Sequence, residues 1–143
     1  MSKFGFVFGV LFSIQAMAEG SIFGKWKTID EEGKAKSIVE ITQDGDSARG
    51  RIVEILNLEK INSVCEKCKG DKLNQPIKGM EILWDLKENK KGTEWSGGEI
   101  LDPNNGKTYK CLLRPKDDGK KLEVRGYIGF SLLGRTQVWE RQD

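Results

Sequence analysis

Short runs of β-forming residues, each followed by a cluster of Gly, Asp, Asn or Lys, recur from residue 22 to the end of the chain. No long stretch repeats its apolar residues at the spacing of an amphipathic helix. This alternation of strand and turn signals is typical of hairpins in a β-sandwich or a β-barrel. It predicts eight strands, at residues 22–29, 35–43, 47–56, 78–87, 94–102, 107–114, 121–129 and 132–141.

Most of the connections between these strands are short, and only the one between the third and fourth strands is long. Eight such strands predict an all-β fold, an eight-stranded antiparallel up-and-down barrel, because a closed sheet leaves no free edges. A sandwich is the alternative, since strand periodicity does not distinguish the two. In the barrel, alternate connections lie at the same end.

The two ends of the predicted barrel differ in chemistry. The turns at 44–46, 89–92 and 117–120 are short and strongly polar, as solvent-facing hairpin turns are. The opposite end carries the long connection 57–77, the Pro-Asn-Asn-Gly turn at 102–106 and the apolar segment 129–134. We therefore expect a plain closed base at the first end and a mouth at the second.

The first eighteen residues have the features of a secretory signal peptide. Lys3 is their one charge, residues 4–14 are an apolar run, and Ala16-Met17-Ala18 is a small-x-small cleavage site. The run is shorter than the roughly 20 residues that a membrane-spanning helix needs. The sequence thus predicts a signal peptide at 1–18, a single barrel domain at 19–143, no membrane anchor and a periplasmic or secreted location.

Charge and composition exclude several classes of function. The formal net charge is +2, with 24 basic and 22 acidic residues interspersed, so no basic face indicates a nucleic-acid partner. The chain contains no histidine, which removes histidine acid–base catalysis, Ser-His and Cys-His nucleophile pairs and most catalytic zinc sites. We therefore expect neither an enzyme nor a cofactor nor a metal site.

Two residues, one on the first strand and one on the last, are expected to close the base of the barrel. Trp26 lies near the start of the first strand and Arg141 at the end of the last, so antiparallel pairing places both at the base. An arginine over an indole face contributes about 0.5–2 kcal/mol. Arg135 is the alternative partner, although it lies at the other end of its strand. Gly24-Lys25-Trp26 with a terminal basic residue resembles the lipocalin and wider calycin pattern, in which Gly-x-Trp on the first strand meets a basic residue from the last.

Several short motifs occur together between residues 24 and 141. They are Gly24-Lys25-Trp26-Lys27-Thr28, Cys65-Glu66-Lys67-Cys68, the segment GEILDPNNGKTY at 98–109, Arg125-Gly126-Tyr127-Ile128-Gly129 and Leu133-Gly134-Arg135-Thr136. In this combination the chain resembles the bacterial domain of unknown function family 2147. The resemblance implies an exported bacterial protein with a lipocalin-like barrel, and it carries no established catalytic residues.

The three cysteines, without histidine, cannot complete a four-ligand zinc site. In an exported protein, Cys65 and Cys68 are expected to form a local disulfide in the long connection, with redox or metal roles as alternatives. Cys111 would then remain as a buried thiol in the sixth strand, although its pairing with Cys65 or Cys68 is also open.

The interior of the barrel is the expected ligand site. Alternation along the strands places apolar and aromatic side chains on a shared face, and the apolar turn at 129–134 adds two more. The predicted ligand-binding residues are Val39, Ile41, Met80, Ile82, Trp84, Tyr109, Phe130 and Leu132. Glycines within the strands favour a cavity, while a barrel filled by its own side chains is the alternative.

We therefore predict an exported lipocalin-like protein that binds a small apolar or amphipathic molecule in the barrel interior. The alternative is a protein–protein interaction module with a filled barrel, acting in the envelope or on a host partner.

Overall fold

The computed structural model describes residues 21–129 and 134–142, so the predicted signal peptide and the ligand candidates Phe130 and Leu132 lie outside the described residues. Eight strands form a closed antiparallel barrel in which each strand neighbours the next in sequence and the last pairs with the first. The predicted up-and-down barrel is confirmed. The strands are β1 Gly24–Ile29, β2 Ala35–Asp44, β3 Ser47–Ile55, β4 Glu81–Lys90, β5 Glu94–Asp102, β6 Lys107–Lys116, β7 Lys121–Tyr127 and β8 Gly134–Arg141.

Three short 3-10 helices, Leu58–Lys60, Gly70–Lys72 and Asp117–Gly119, lie in the connections. Among the described residues, no helix is long and apolar enough to cross a membrane.

The base of the barrel is closed around Trp26. The guanidinium carbon of Arg141 lies 4.2 Å from the centroid of the Trp26 ring, and the indole Nε1 donates to the Ile22 carbonyl at 2.8 Å. Arg141 also donates to three backbone carbonyls, those of Ser21, Phe23 and Gly119. One side chain therefore joins the N-terminal segment, the β6–β7 turn and the last strand.

Strand β4 departs from the face pattern that its sequence predicts. Regular alternation would place Met80, Ile82, Trp84 and Leu86 on one face, but Asp85 adopts a positive φ of 60° and the β3–β4 register shifts twice. Leu83 and Leu86 are consequently both fully buried, while Trp84 faces outward beside Glu99. The prediction that Trp84 lines the interior is wrong, because a bulge reverses the alternation that the prediction assumed.

The long β3–β4 connection is held by the predicted disulfide. Cys65 and Cys68 are bonded and buried, and Cys111 is a free, buried cysteine. The Cys65 sulfur lies 3.4 Å from the Pro103 carbonyl oxygen. A Cβ at Gly106 would come within 2.0 Å of the Lys67 carbonyl oxygen, so the connection packs closely on the β5–β6 turn.

This connection also covers part of the outer wall of the barrel. Leu101 follows the inward-facing Ile100 and so faces outward, yet it is only 4% exposed. Lys72 of the connection places its ammonium 4.9 Å from the centroid of the outward-facing Trp84 ring. The buried cysteines and Leu101 belong to the same apolar cluster as the barrel core.

Candidate ligand-binding cup

The inner face of the barrel follows from the register of β7 and β8. Leu122 pairs with Trp139, Val124 with Gln137 and Gly126 with Arg135, with no shift along the ladder. A Cβ at Gly126 would lie 3.5 Å from the side chains of Ile100 and Tyr109, so Gly126 faces the interior. Since cross-strand partners share a face, Gln137 and Arg135 face the interior as well.

The inward-facing side chains nearer the base form a closed floor. All of them are at most 4% exposed, and they include two of the three buried tryptophans, Trp26 and Trp139. This floor consists of Trp26, Val39, Ile41, Ile52, Leu83, Leu86, Cys111, Leu113, Leu122, Val124 and Trp139. The interior of an eight-stranded barrel is just wide enough for its own side chains to fill, so these residues fill the lower half of the barrel.

The inward-facing side chains nearer the mouth are partly exposed. They are Ser37, Ile55, Ile100, Tyr109 and Gln137, with Gly126 between them. A side chain that faces the inside of a closed sheet can reach solvent only through an open end. These side chains therefore line the open upper end of the barrel, above the buried floor, and we call the space between them the cup.

Most polar atoms of the cup wall are already bonded to one another. The Ser37 hydroxyl lies 2.8 Å from that of Thr28, and the Tyr109 hydroxyl accepts from the Asn105 amide at 2.9 Å. The Gln137 side-chain oxygen accepts from the Trp139 indole at 3.0 Å. A mostly apolar wall with a few oriented polar groups suits a small apolar or amphipathic molecule.

The predicted ligand-binding residues occupy different parts of this arrangement. Val39 and Ile41 lie in the floor, Met80 and Ile82 are buried in the same core, and Tyr109 is in the cup wall. Trp84 is outside the barrel, where its Nε1 donates to the Glu99 carboxylate at 3.1 Å.

Sequence reasoning missed four wall residues, Ser37, Ile55, Ile100 and Gln137. Their inward orientation depends on register and bulges. The one available signal was alternation along β2, which places Ser37 on the same face as Val39, two residues farther along the strand.

The floor also contains the free thiol. Burial raises the pKa of the Cys111 thiol well above its usual range, so the side chain is neutral at physiological pH and not a nucleophile. Within residues 21–129 and 134–142, no group of three or more Cys, Asp or Glu side chains is placed to hold a metal ion.

One ion pair crosses the rim of the cup. The inward-facing Arg135 of β8 lies 3.3 Å from the Glu31 carboxylate in the β1–β2 turn, and both side chains are largely exposed. Lower down, β1 and β8 pair only at Trp26–Arg141 and Lys27–Glu140, so the described part of their ladder ends well below this rim.

The barrel is similar to a solved structure, protein HP1028 from the human pathogen Helicobacter pylori, which is described as belonging to the lipocalin family. The TM-score is 0.75 at 23% sequence identity, and the similarity covers 86% of this chain and 84% of that chain. At that identity the likeness shows the fold alone. No curated protein matches the chain.

The family model described as "Uncharacterized protein conserved in bacteria (DUF2147)" matches residues 24–141, which extend from the first residue of β1 to the last residue of β8. The chain belongs to this bacterial family, and its barrel has the lipocalin fold.

Proposed function

We propose that the protein is an exported binding protein that holds one small apolar or amphipathic molecule in the cup. The observation that carries the proposal is the change along the inner face from a filled floor to a partly exposed wall. A ligand that enters through the mouth would exchange water for contact with Ile55, Ile100 and Tyr109. The free energy gained is about 25 cal/mol per Å² of apolar surface removed from water.

Export is proposed on two further grounds. Residues 1–18 have the pattern of a signal peptide, and the Cys65–Cys68 disulfide is typical of proteins in oxidising compartments.

Mass spectrometry of gently purified protein under non-denaturing conditions tests the proposal directly. We expect a co-purifying small molecule, or saturable displacement of a neutral fluorophore such as Nile red by single-chain amphiphiles. The absence of both a bound molecule and saturable binding of any amphiphile would refute the function.

A variant that fills the cup locates the binding site. The backbone φ of Gly126 is not positive, and a Cβ there makes only ordinary van der Waals contacts, so Gly126→Leu is expected to fold. The added side chain would occupy the cup beside Ile100 and Tyr109 and lower probe affinity roughly tenfold or more, which is at least about 1.4 kcal/mol.

The matched control is Lys110→Leu, which adds a leucine to an exposed outer position of the neighbouring strand. We expect this control to bind the probe as the wild type does. Unchanged binding by a folded Gly126→Leu protein would place the ligand outside the cup.

The second candidate function is that of a protein-interaction module that uses the β3–β4 connection. Among the described residues, four of the six exposed large apolar side chains belong to this connection: Leu58, Ile61, Val64 and Leu73. Leu58 is the most exposed, at 80%. The disulfide and the contacts with the β5–β6 turn would present these side chains in a fixed arrangement, as a docking surface requires.

A photo-crosslinking amino acid at position 58, expressed in the native host, tests this candidate. The same probe at Val138, an exposed apolar position on β8, is the control. A discrete crosslinked product from position 58 that is absent from position 138 would support the module. Equal labelling from both positions would reject it.

A further inference from the structure

Arg135 is a cationic side chain that the fold directs toward the ligand space. The register of β7 and β8 places it opposite Gly126. Because Gly126 has no side chain, the space beside Ile100 and Tyr109 is left open at this position. Farther down the same face of β8, Gln137 and then Trp139 continue into the cup and its floor. The inner face of β8 therefore changes from apolar to cationic as it approaches the mouth.

The partner of Arg135 is Glu31, whose carboxylate makes no described hydrogen bond within the β1–β2 turn. Asp30 holds the β1–β2 turn, because its carboxylate accepts from the backbone N–H groups of Glu32 and Lys34 at 2.9 Å. The carboxylate of Glu31 makes one described contact, the ion pair with Arg135 at 3.3 Å. Glu31 can therefore leave Arg135 without breaking the hydrogen bonds of its turn.

The ion pair also spans the part of the wall where backbone pairing is missing. The described β1–β8 ladder consists of two residue pairs near the base, whereas the β7–β8 ladder has seven pairs. Above Lys27, the Arg135–Glu31 contact is the described side-chain link between β8 and the β1–β2 hairpin. Breaking the Arg135–Glu31 ion pair would therefore alter the rim of the cup and leave the backbone pairing and the buried side chains of the floor unchanged.

We propose that Arg135 selects ligands with an anionic headgroup, and that Glu31 occupies the headgroup position while the cup is empty. The ligand class is a single-chain amphiphile that carries a carboxylate or phosphate. Its chain lies against Ile55, Ile100 and Tyr109, and its anionic oxygens replace those of Glu31 on the Arg135 guanidinium. This inference rests on the proposed function and specifies its ligand.

The exchange is favourable for a physical reason. The Arg135–Glu31 pair is largely exposed, and such pairs contribute little free energy because water screens them. A ligand headgroup brings the same charge together with an apolar chain, whose burial is not available to Glu31. The arginine guanidinium can also receive a carboxylate or phosphate in a two-point geometry.

The test compares decanoic acid, decyl phosphate and decanol in the displacement of Nile red, with wild type, Arg135→Gln, Glu31→Gln and Lys110→Gln proteins at neutral pH. The wild type is expected to bind both anionic probes about threefold or more tightly than the alcohol, as suits a largely exposed arginine. Arg135→Gln is expected to lose that preference while it keeps its affinity for decanol. Glu31→Gln, which removes the competing carboxylate, is expected to bind the anionic probes more tightly than the wild type.

Lys110→Gln removes a positive charge from the outer face of β6 and should keep the wild-type preference for anionic probes. This control separates the local effect of Arg135 from the effect of a lower net charge. Circular dichroism and thermal unfolding show whether each variant is folded. An anionic preference that persists in folded Arg135→Gln, or a wild type that binds decanol as well as decanoate, overturns the inference and leaves the proposed function standing. A wild type that binds none of the three probes also overturns the inference, and it refutes the proposed function only if no co-purifying molecule and no other amphiphile is bound.

Discussion

Replacement of Arg141 should destabilise the barrel far more than replacement of a surface arginine. The Arg141 guanidinium lies 4.2 Å from the Trp26 ring centroid and donates to the carbonyls of Ser21, Phe23 and Gly119. Arg141→Ala removes a cation–π contact that contributes about 0.5–2 kcal/mol. It also leaves three partly buried acceptors without their donor, at about 1–3 kcal/mol for each one that water cannot reach.

Because Arg141 is partly exposed, water can rehydrate some of these carbonyls, and we expect a total loss of about 3–5 kcal/mol rather than the full sum. That loss is a large fraction of the stability of an ordinary domain, which is about 5–15 kcal/mol. Arg141→Lys keeps a cation near the indole but cannot reach three carbonyls, so its loss should be intermediate.

Urea unfolding of the oxidised protein, followed by tryptophan fluorescence, measures these differences as changes in the free energy of unfolding. The control is Arg49→Ala, which removes the same charge from an exposed arginine paired with Asp44 and Glu81. We expect a shift close to the error of the measurement for that variant. If Arg141→Ala were no more destabilising than Arg49→Ala, Arg141 would not be the residue that holds the base together.

Two further predictions concern the thiol and one buried acid. Because burial raises the pKa of Cys111, native protein should not react with a thiol reagent at mildly alkaline pH, whereas denatured protein should show one reactive thiol while the disulfide is intact; rapid labelling of native protein would contradict a closed floor. Hydrogen bonds from Asn89 and then Arg114, against the opposing effect of desolvation, lower the pKa of Glu94 from its usual 4.5. A lowered carboxyl pKa contributes stability above the unfolded-state pKa that disappears as the pH falls through the folded-state pKa. The difference in unfolding free energy between wild type and Glu94→Gln should therefore be largest near neutral pH and shrink below pH 4.5, and a difference independent of pH would contradict this assignment.

The order and number of strands were predictable because they depend on local signals. Each hairpin has its own turn residues, as at Gly45 and Gly92, which both adopt positive φ. Once an antiparallel up-and-down sheet of eight strands was predicted, topology alone placed Trp26 and Arg141 at the same end. The position of Cys65 and Cys68 within one short segment likewise made their disulfide the simplest pairing.

The composition of the cup was decided by the tertiary structure, because the face of a residue depends on every register shift before it. The bulge at Asp85 directs Trp84 outward and makes Leu83 and Leu86 interior residues. The long connection covers the outer wall through contacts with Pro103 and Gly106, which are distant in sequence and carry no local signal.

The pairing of Arg135 with Glu31 joins residues 104 positions apart and exists only because the barrel closes. Local sequence determined the eight strands and the chemistry of the two ends. Closure and register, which are long-range properties of the folded chain, determined which side chains face the ligand space.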